Sequence, residues 1–131
     1  MGKCYDSMVE QRTTLVLGAS TNPERYSYRA IQQLVQAKQP VVALGLKPAT
    51  VFGIAIEQPF KHFEGIHTIS LYIGSKHQPE YYDYIIKLNP KRVIFNPGTE
   101  NSNFASLLKE HHIAWENACT LVLLATNQYQ A

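Results

Sequence analysis

The most constraining feature of the chain is a β-branched, apolar run that stops abruptly at a glycine. Thr13-Thr14-Leu15-Val16-Leu17 leads directly into Gly18-Ala19-Ser20-Thr21-Asn22-Pro23. A run of this kind, closed by glycine and small polar residues, reads as a buried strand and a turn. Past Pro23, Tyr28, Ile31, Leu34 and Val35 recur at helical spacing, and Ser27 or Asn22 is placed to cap that helix. Pro40 breaks the pattern, and Val41-Val42-Ala43-Leu44 reads as a second buried strand. The opening is therefore a strand, a glycine turn, a helix and a strand.

The same alternation continues. Lys47 to Thr68 contains Pro48, Gly53, Pro59 and Gly65 and reads mostly as loop. Thr68 to Ile73 is a third apolar strand, ended by Gly74-Ser75. A helix starts near Pro79, with Tyr81, Tyr82, Ile85, Ile86 and Leu88 on its buried face, and Asn89-Pro90 stops it. Arg92-Val93-Ile94-Phe95 gives a fourth strand, closed by Asn96-Pro97-Gly98. Phe104, Leu107, Leu108 and His111 mark another helix, Ile113-Ala114-Trp115 a short fifth strand, and Cys119 to Ala125 a strand or closing helix. Continuously apolar strands alternating with helices predict an open, doubly wound, mainly parallel α/β sheet of about five strands.

Composition narrows the function. The 131 residues are 45% hydrophobic and 17% charged, enough for one well-packed core. Residues 1–12 read as a tail or short helix, and 13–131 as a single domain. A net charge of +2 with mixed signs predicts no nucleic-acid surface and no polybasic membrane face. The start, Met1-Gly2-Lys3-Cys4-Tyr5-Asp6, lacks an apolar secretory core, and two cysteines at opposite ends point to a reducing cytoplasm.

In an open parallel sheet a ligand sits at the carboxyl ends of the strands. Three segments fall there, namely 18–27, 45–48 and 96–102. The first offers backbone amides around Gly18-Ala19-Ser20 at a helix start, the hydroxyls of Ser20 and Ser27, and the charge of Arg25, which suits a phosphate. Against the dinucleotide pattern G-x-G-x-x-G, only Gly18 matches, with Ser20 and Pro23 at the other glycine positions. The second strand ends in Leu44-Gly45-Leu46-Lys47, with a cation where NAD-binding proteins place an acid. Lys47 suits a ribose that carries its own phosphate, as in NADP and coenzyme A.

These residues resemble the small CoA-binding proteins, single Rossmann-type domains similar to the N-terminal CoA-binding domain of the succinyl-CoA synthetase α subunit. The resemblance rests on Gly18-Ala19-Ser20-Thr21-Asn22-Pro23-Glu24-Arg25-Tyr26-Ser27, which looks like the family's G-A-S-x-N-P-x-R-x-S phosphate loop. Lys47-Pro48 after the second strand, Pro97-Gly98-Thr99-Glu100-Asn101 after the fourth, and the late Cys119 extend it over residues 13–128. It implies that the Ser20 loop, with Gly18, Ala19, Asn22, Arg25 and Ser27, holds the CoA pyrophosphate. It also implies that Lys47 and Pro48 lie near the adenosine end and Gly98 near the ligand. The second strand departs from the family, ending Ala-Leu-Gly-Leu-Lys where members more often have Val-Asn-Pro-Lys.

Each feature also has a purely structural explanation. Gly18-Ala19-Ser20 makes a tight strand-to-helix turn, Lys47 and Arg25 are ordinary surface charges, and Asn101 or Ser102 is a helix cap. His111-His112 suit a helix C-terminus, and His62, His67 and His77 show no metal-binding spacing, so no metal is expected. Cys119 reads as a buried small hydrophobe. The resulting expectation is a CoA-binding carrier, sensor or docking module without catalysis, alone, as a homo-oligomer or on a partner enzyme. The rival is a small NADP-dependent oxidoreductase with Tyr72 or His77 as proton donor, and a third reading is an interaction module that has lost its ligand.

Overall fold

A computed structural model describes residues 12–130. The expected tail at 1–12 lies, but for Arg12, outside the described residues. The elements are β1 (Thr13–Leu17), α1 (Tyr26–Gln36), β2 (Val41–Leu44), β3 (Ala49–Val51), β4 (Ile54–Glu57), β5 (Ile66–Leu71), α2 (Tyr82–Leu88), β6 (Arg92–Phe95), α3 (Ser102–Glu110), β7 (Ala114–Asn117) and α4 (Thr120–Ala125).

One seven-stranded sheet runs in the order β3-β4-β2-β1-β5-β6-β7. All neighbours pair in parallel except β3 with β4. Leaving aside the antiparallel edge β3, the parallel strands follow the Rossmann order, reversing direction of progress between β1 and β5. The fold is the expected α/β Rossmann-like sheet, with two more strands than the sequence suggested.

The extra strands correct the reading of 47–68 as mostly loop. Ala49–Val51 and Ile54–Glu57 form a hairpin around Phe52 and Gly53, both with positive φ (50° and 78°). Two left-handed residues match the twist of a two-residue hairpin. The segment at 119–125 resolves as helix α4. Pro79 opens a 3-10 turn (Pro79–Tyr81) that leads into α2, and Asn89, in the left-handed conformation, ends it.

The side chains of each strand divide between two layers because strand residues alternate in direction. Val16, Ala43, Ile56 and Ile94 pack with Ile31 and Leu34 of α1, Leu123 and Leu124 of α4, and Tyr129. Leu15, Leu17, Ile69, Leu71, Val93 and Phe95 pack on the other side with Ile85 of α2 and Phe104 and Leu108 of α3. In α1 the buried residues are Ser27, Ala30, Ile31 and Leu34, the i, i+3, i+4, i+7 stripe of an amphipathic helix. This two-layer cover explains why β1, β2 and β6 read in sequence as unbroken apolar runs.

Candidate functional site

The turn from β1 to α1 opens at the point where strand order reverses. Its geometry is fixed from below. The amides of Gly18 and Ala19 both donate to the Leu44 carbonyl at 2.9 Å, and Tyr72 N donates to Leu17 O at 2.8 Å. Gly18 has φ +98°, and a Cβ there would stand 3.0 Å from Tyr72 O and 3.2 Å from Ile73 Cγ1. Glycine is needed at this position both for its backbone and for the approach of β5.

The engagement of Gly18 and Ala19 with Leu44 shifts the available donors onward. Among the described residues the amides of Ser20 and Thr21 have no acceptor, nor do those of Tyr26 and Ser27 in the first turn of α1. Helix N-termini leave such amides open, and they carry partial positive charge.

The expected caps are not the ones found. Arg25, extended at φ −82° and ψ 142°, is the N-cap residue of α1 and makes no side-chain cap. Asn22 instead accepts from Glu24 N at 3.0 Å, and Ser20 Oγ accepts from Asn22 N at 3.0 Å. These local bonds fold the loop back on itself. They leave the Ser20 hydroxyl proton free to donate. Asn22 and Arg25 are exposed, while Ser27 is buried at the foot of the helix.

Lys47 and Pro48 lie exposed beyond β2, between Gly45 and β3. The adjoining Gly45 is buried, and its amide donates to Glu57 O at 2.9 Å. Lys47 therefore stands on the β2 side of β1, and the loops that follow β5 and β6 stand on the other. Gly98, exposed with φ +92°, donates its amide to Glu100 Oε1 at 2.9 Å. The sequence-predicted residues thus share one edge of the sheet, with 18–27 in the middle, 47–48 on one flank and 98 on the other.

Beneath the β5 and β6 flank is a set of polar side chains, of which the sequence singled out Asn101 as a cap but not the buried Ser70, Gln78 and Thr120. Asn96 Nδ2 donates to Ser70 Oγ at 3.0 Å and Leu71 O at 2.9 Å, and its Oδ1 accepts from Thr120 N at 2.8 Å. Gln78, 1% exposed, donates to Ile73 O and Thr99 O and accepts from Asn101 Nδ2. Asn101 is the N-cap of α3, accepting from Phe104 N at 3.0 Å, as expected for that position. No periodicity flags such residues, because their importance comes from tertiary burial.

Tyr72 follows β5. Its hydroxyl is buried beside Ser70 and Thr120, which bond each other at 2.8 Å, and among the described residues it has no hydrogen-bond partner of its own. Burial pushes its pKa up to about 12, against a smaller opposing effect of the two hydroxyls. Cys119, expected to be buried, is a half-buried free thiol at the N-cap of α4. Among the described residues no group of three or more His, Cys, Asp or Glu is placed to hold a metal ion. No helix among them is long and apolar enough to cross a membrane.

A mainly parallel sheet whose strand order reverses between β1 and β5 defines a class, the Rossmann-type α/β domains. Within that class the chain belongs to the CoA binding domain family, whose model matches residues 12–125. Solved structures are similar to it. A crystal structure of an uncharacterized protein is 39% identical and superposes with a TM-score of 0.87 over 90% of this chain and 98% of that one. A Thermus thermophilus protein, 18% identical, has a TM-score of 0.80 over 96% of each chain. A hypothetical protein from Pyrococcus horikoshii, 21% identical, has a TM-score of 0.78 over 92% of this chain and 86% of that one. The last two share the fold. A search of curated proteins returns no match.

Proposed function

We propose that the protein binds coenzyme A, free or acylated, as a carrier, sensor or docking module that catalyses no reaction itself. The observation that carries this reading is the turn at 18–27. In a chain of the CoA binding domain family, it presents the open amides of Ser20, Thr21, Tyr26 and Ser27 beside Arg25 at the strand-order reversal. A pyrophosphate there would receive backbone N–H groups, the Ser20 hydroxyl and a guanidinium, with Gly18, Ala19 and Asn22 shaping the turn.

On this reading the adenosine half lies toward Lys47 and Pro48, with the Lys47 ammonium on the ribose phosphate. The pantetheine arm leaves on the opposite side of β1, past Tyr72-Ile73 and toward Gly98. Lys47 would serve the ribose phosphate of NADP equally well. Reductase chemistry, however, needs a proton donor near its working pH. The Tyr72 hydroxyl is buried with its pKa pushed up to about 12, which disfavours it in that role. The free Cys119 suits a reducing cytoplasm, where we place the protein.

Calorimetric titration with CoA, acetyl-CoA, NADP and NAD tests the proposal. Selective micromolar binding of CoA or its acetyl ester supports it. Binding of NADP with no response to CoA would move the protein to the oxidoreductases.

A further inference from the structure

The open amides and Arg25 account for phosphates, but nothing in them selects the long amide-bearing arm of the ligand. On the CoA reading, the loops on the side of β1 where that arm would lie are Ile73-Gly74 after β5 and Asn96 to Thr99 after β6. Ile73 reaches the switch point itself, since its Cγ1 lies 3.2 Å from the position a Gly18 Cβ would take. These two loops are joined by one side chain. Gln78 Nε2 donates one hydrogen to Ile73 O at 2.8 Å and the other to Thr99 O at 2.7 Å. Its Oε1 accepts from Asn101 Nδ2 at 2.9 Å.

The bracket continues outward. Asn101 Nδ2 also donates to Tyr82 Oη at 3.0 Å, and Asn101 Oδ1 caps α3 through Phe104 N. Tyr82 in turn stacks on Phe104, with ring centroids 4.3 Å apart and planes at 18°. Thr99 is tied back to the end of β6 by its amide and hydroxyl, both donating to Asn96 O. A carboxamide with three directed partners and 1% exposure has no freedom to rotate. Its length therefore sets the separation of the two loops.

We propose that Gln78 is a positioning residue that fixes the gap between the β5 and β6 loops and so determines affinity for the pantetheine arm of CoA. The inference rests on the CoA reading and deepens it. Gln78 bonds only the β5 and β6 loops and Asn101, on the side of β1 away from Lys47, so its effect is expected on ligands that carry the arm. A change of about 1 Å in the position of such supports costs up to about a hundredfold in function.

The test uses two ligands and two variants of the whole chain. CoA carries the arm, whereas adenosine 3′,5′-bisphosphate supplies nucleotide and phosphates without it. Gln78→Leu removes all three bonds, and Gln78→Glu keeps the shape and an acceptor for Asn101 while removing both donors. In either variant that stays folded by circular dichroism, CoA affinity is expected to fall about tenfold or more and bisphosphate affinity by less than about twofold. Equal losses on both ligands would show a general structural role and overturn the inference, as would no loss on CoA. If Gln78→Leu does not fold, Gln78→Glu decides alone. Wild-type protein that binds neither ligand overturns the CoA reading, and this inference with it. Wild type that binds both leaves the ratio to judge Gln78 by itself.

Discussion

The carbonyl oxygen of Ala19 occupies the place a side chain on Gly45 would need. An ideal Cβ at Gly45 lies 2.5 Å from Ala19 O and 2.9 Å from Ile56 Cγ2. The β1–α1 turn is thus seated directly on the backbone that leaves β2, and the shared acceptor Leu44 O holds both Gly18 and Ala19 against it. Gly45→Ala must displace the turn. We expect about 1–3 kcal/mol of destabilisation in urea denaturation and a loss of CoA affinity with it. Gly74→Ala is the control, because Gly74 has φ −60° and open space where its Cβ would be. That variant is expected to stay within about 0.5 kcal/mol of wild type. Equal stability of the two variants in urea would show that the seat is not tight.

Lys47 is exposed, so its contribution depends on having a phosphate to meet. Lys47→Ala is expected to weaken CoA about tenfold and dephospho-CoA, which lacks the ribose phosphate, hardly at all. The difference should shrink as salt is raised, because an exposed charge pair is screened. Titrations with the two ligands at low and high salt measure this. Equal weakening of both would take Lys47 away from the ribose phosphate.

Much of this architecture is legible in the sequence, for a physical reason. Thr13–Leu17, Val41–Leu44 and Arg92–Phe95 are covered on both faces, so each reads as an apolar run, and each lies where the run predicts. The β3–β4 hairpin was hidden because its strands are three and four residues long, between Pro48 and Pro59. Its turn places Phe52, rather than the usual Asn or Asp, in a left-handed conformation. The β1–α1 turn was legible as a segment but not in its bonding. Ser20-Thr21-Asn22 announces a turn, yet nothing in that run reveals that Asn22 serves Glu24 and leaves α1 without a side-chain cap. Gln78 sits in a polar stretch, Lys76-His77-Gln78-Pro79-Glu80, that gives no hint of a side chain 1% exposed.

The opposite edge of the sheet is closed by Tyr129. Its hydroxyl bonds Thr14 Oγ1, its ring lies under the Arg92 guanidinium at 4.9 Å, and its carbonyl accepts from Arg92 Nη2 at 3.1 Å. Thr14 and Arg92 stand at the starts of β1 and β6, away from the carboxyl ends of the strands where we propose that CoA binds. Tyr129→Ala is expected to cost about 3–5 kcal/mol and Tyr129→Phe about 1 kcal/mol, both by urea denaturation. CoA affinity of the folded variants should remain within about twofold of wild type, since distant sites act independently. A large affinity loss in Tyr129→Phe would show that the two edges are coupled.

His67 makes this same edge sensitive to pH. Its pKa is held below the usual histidine value, chiefly by burial and then by the positive charges of Arg92, Arg12 and Lys91. Its Nδ1 lies 2.8 Å from Thr68 Oγ1, which already accepts from Arg92 Nε at 3.2 Å. In the unfolded chain the ring titrates near 6.5. Below that pH the unfolded state binds more protons than the folded state, so stability falls as pH drops from 6.5 toward the folded pKa. Above 6.5 both states are neutral and His67 contributes no slope. Denaturation midpoints measured between pH 5.5 and 7.5 for wild type and His67→Gln should diverge only at the acid end, with the variant the flatter of the two. Parallel curves would mean that His67 is as easily protonated in the folded protein as in the unfolded chain.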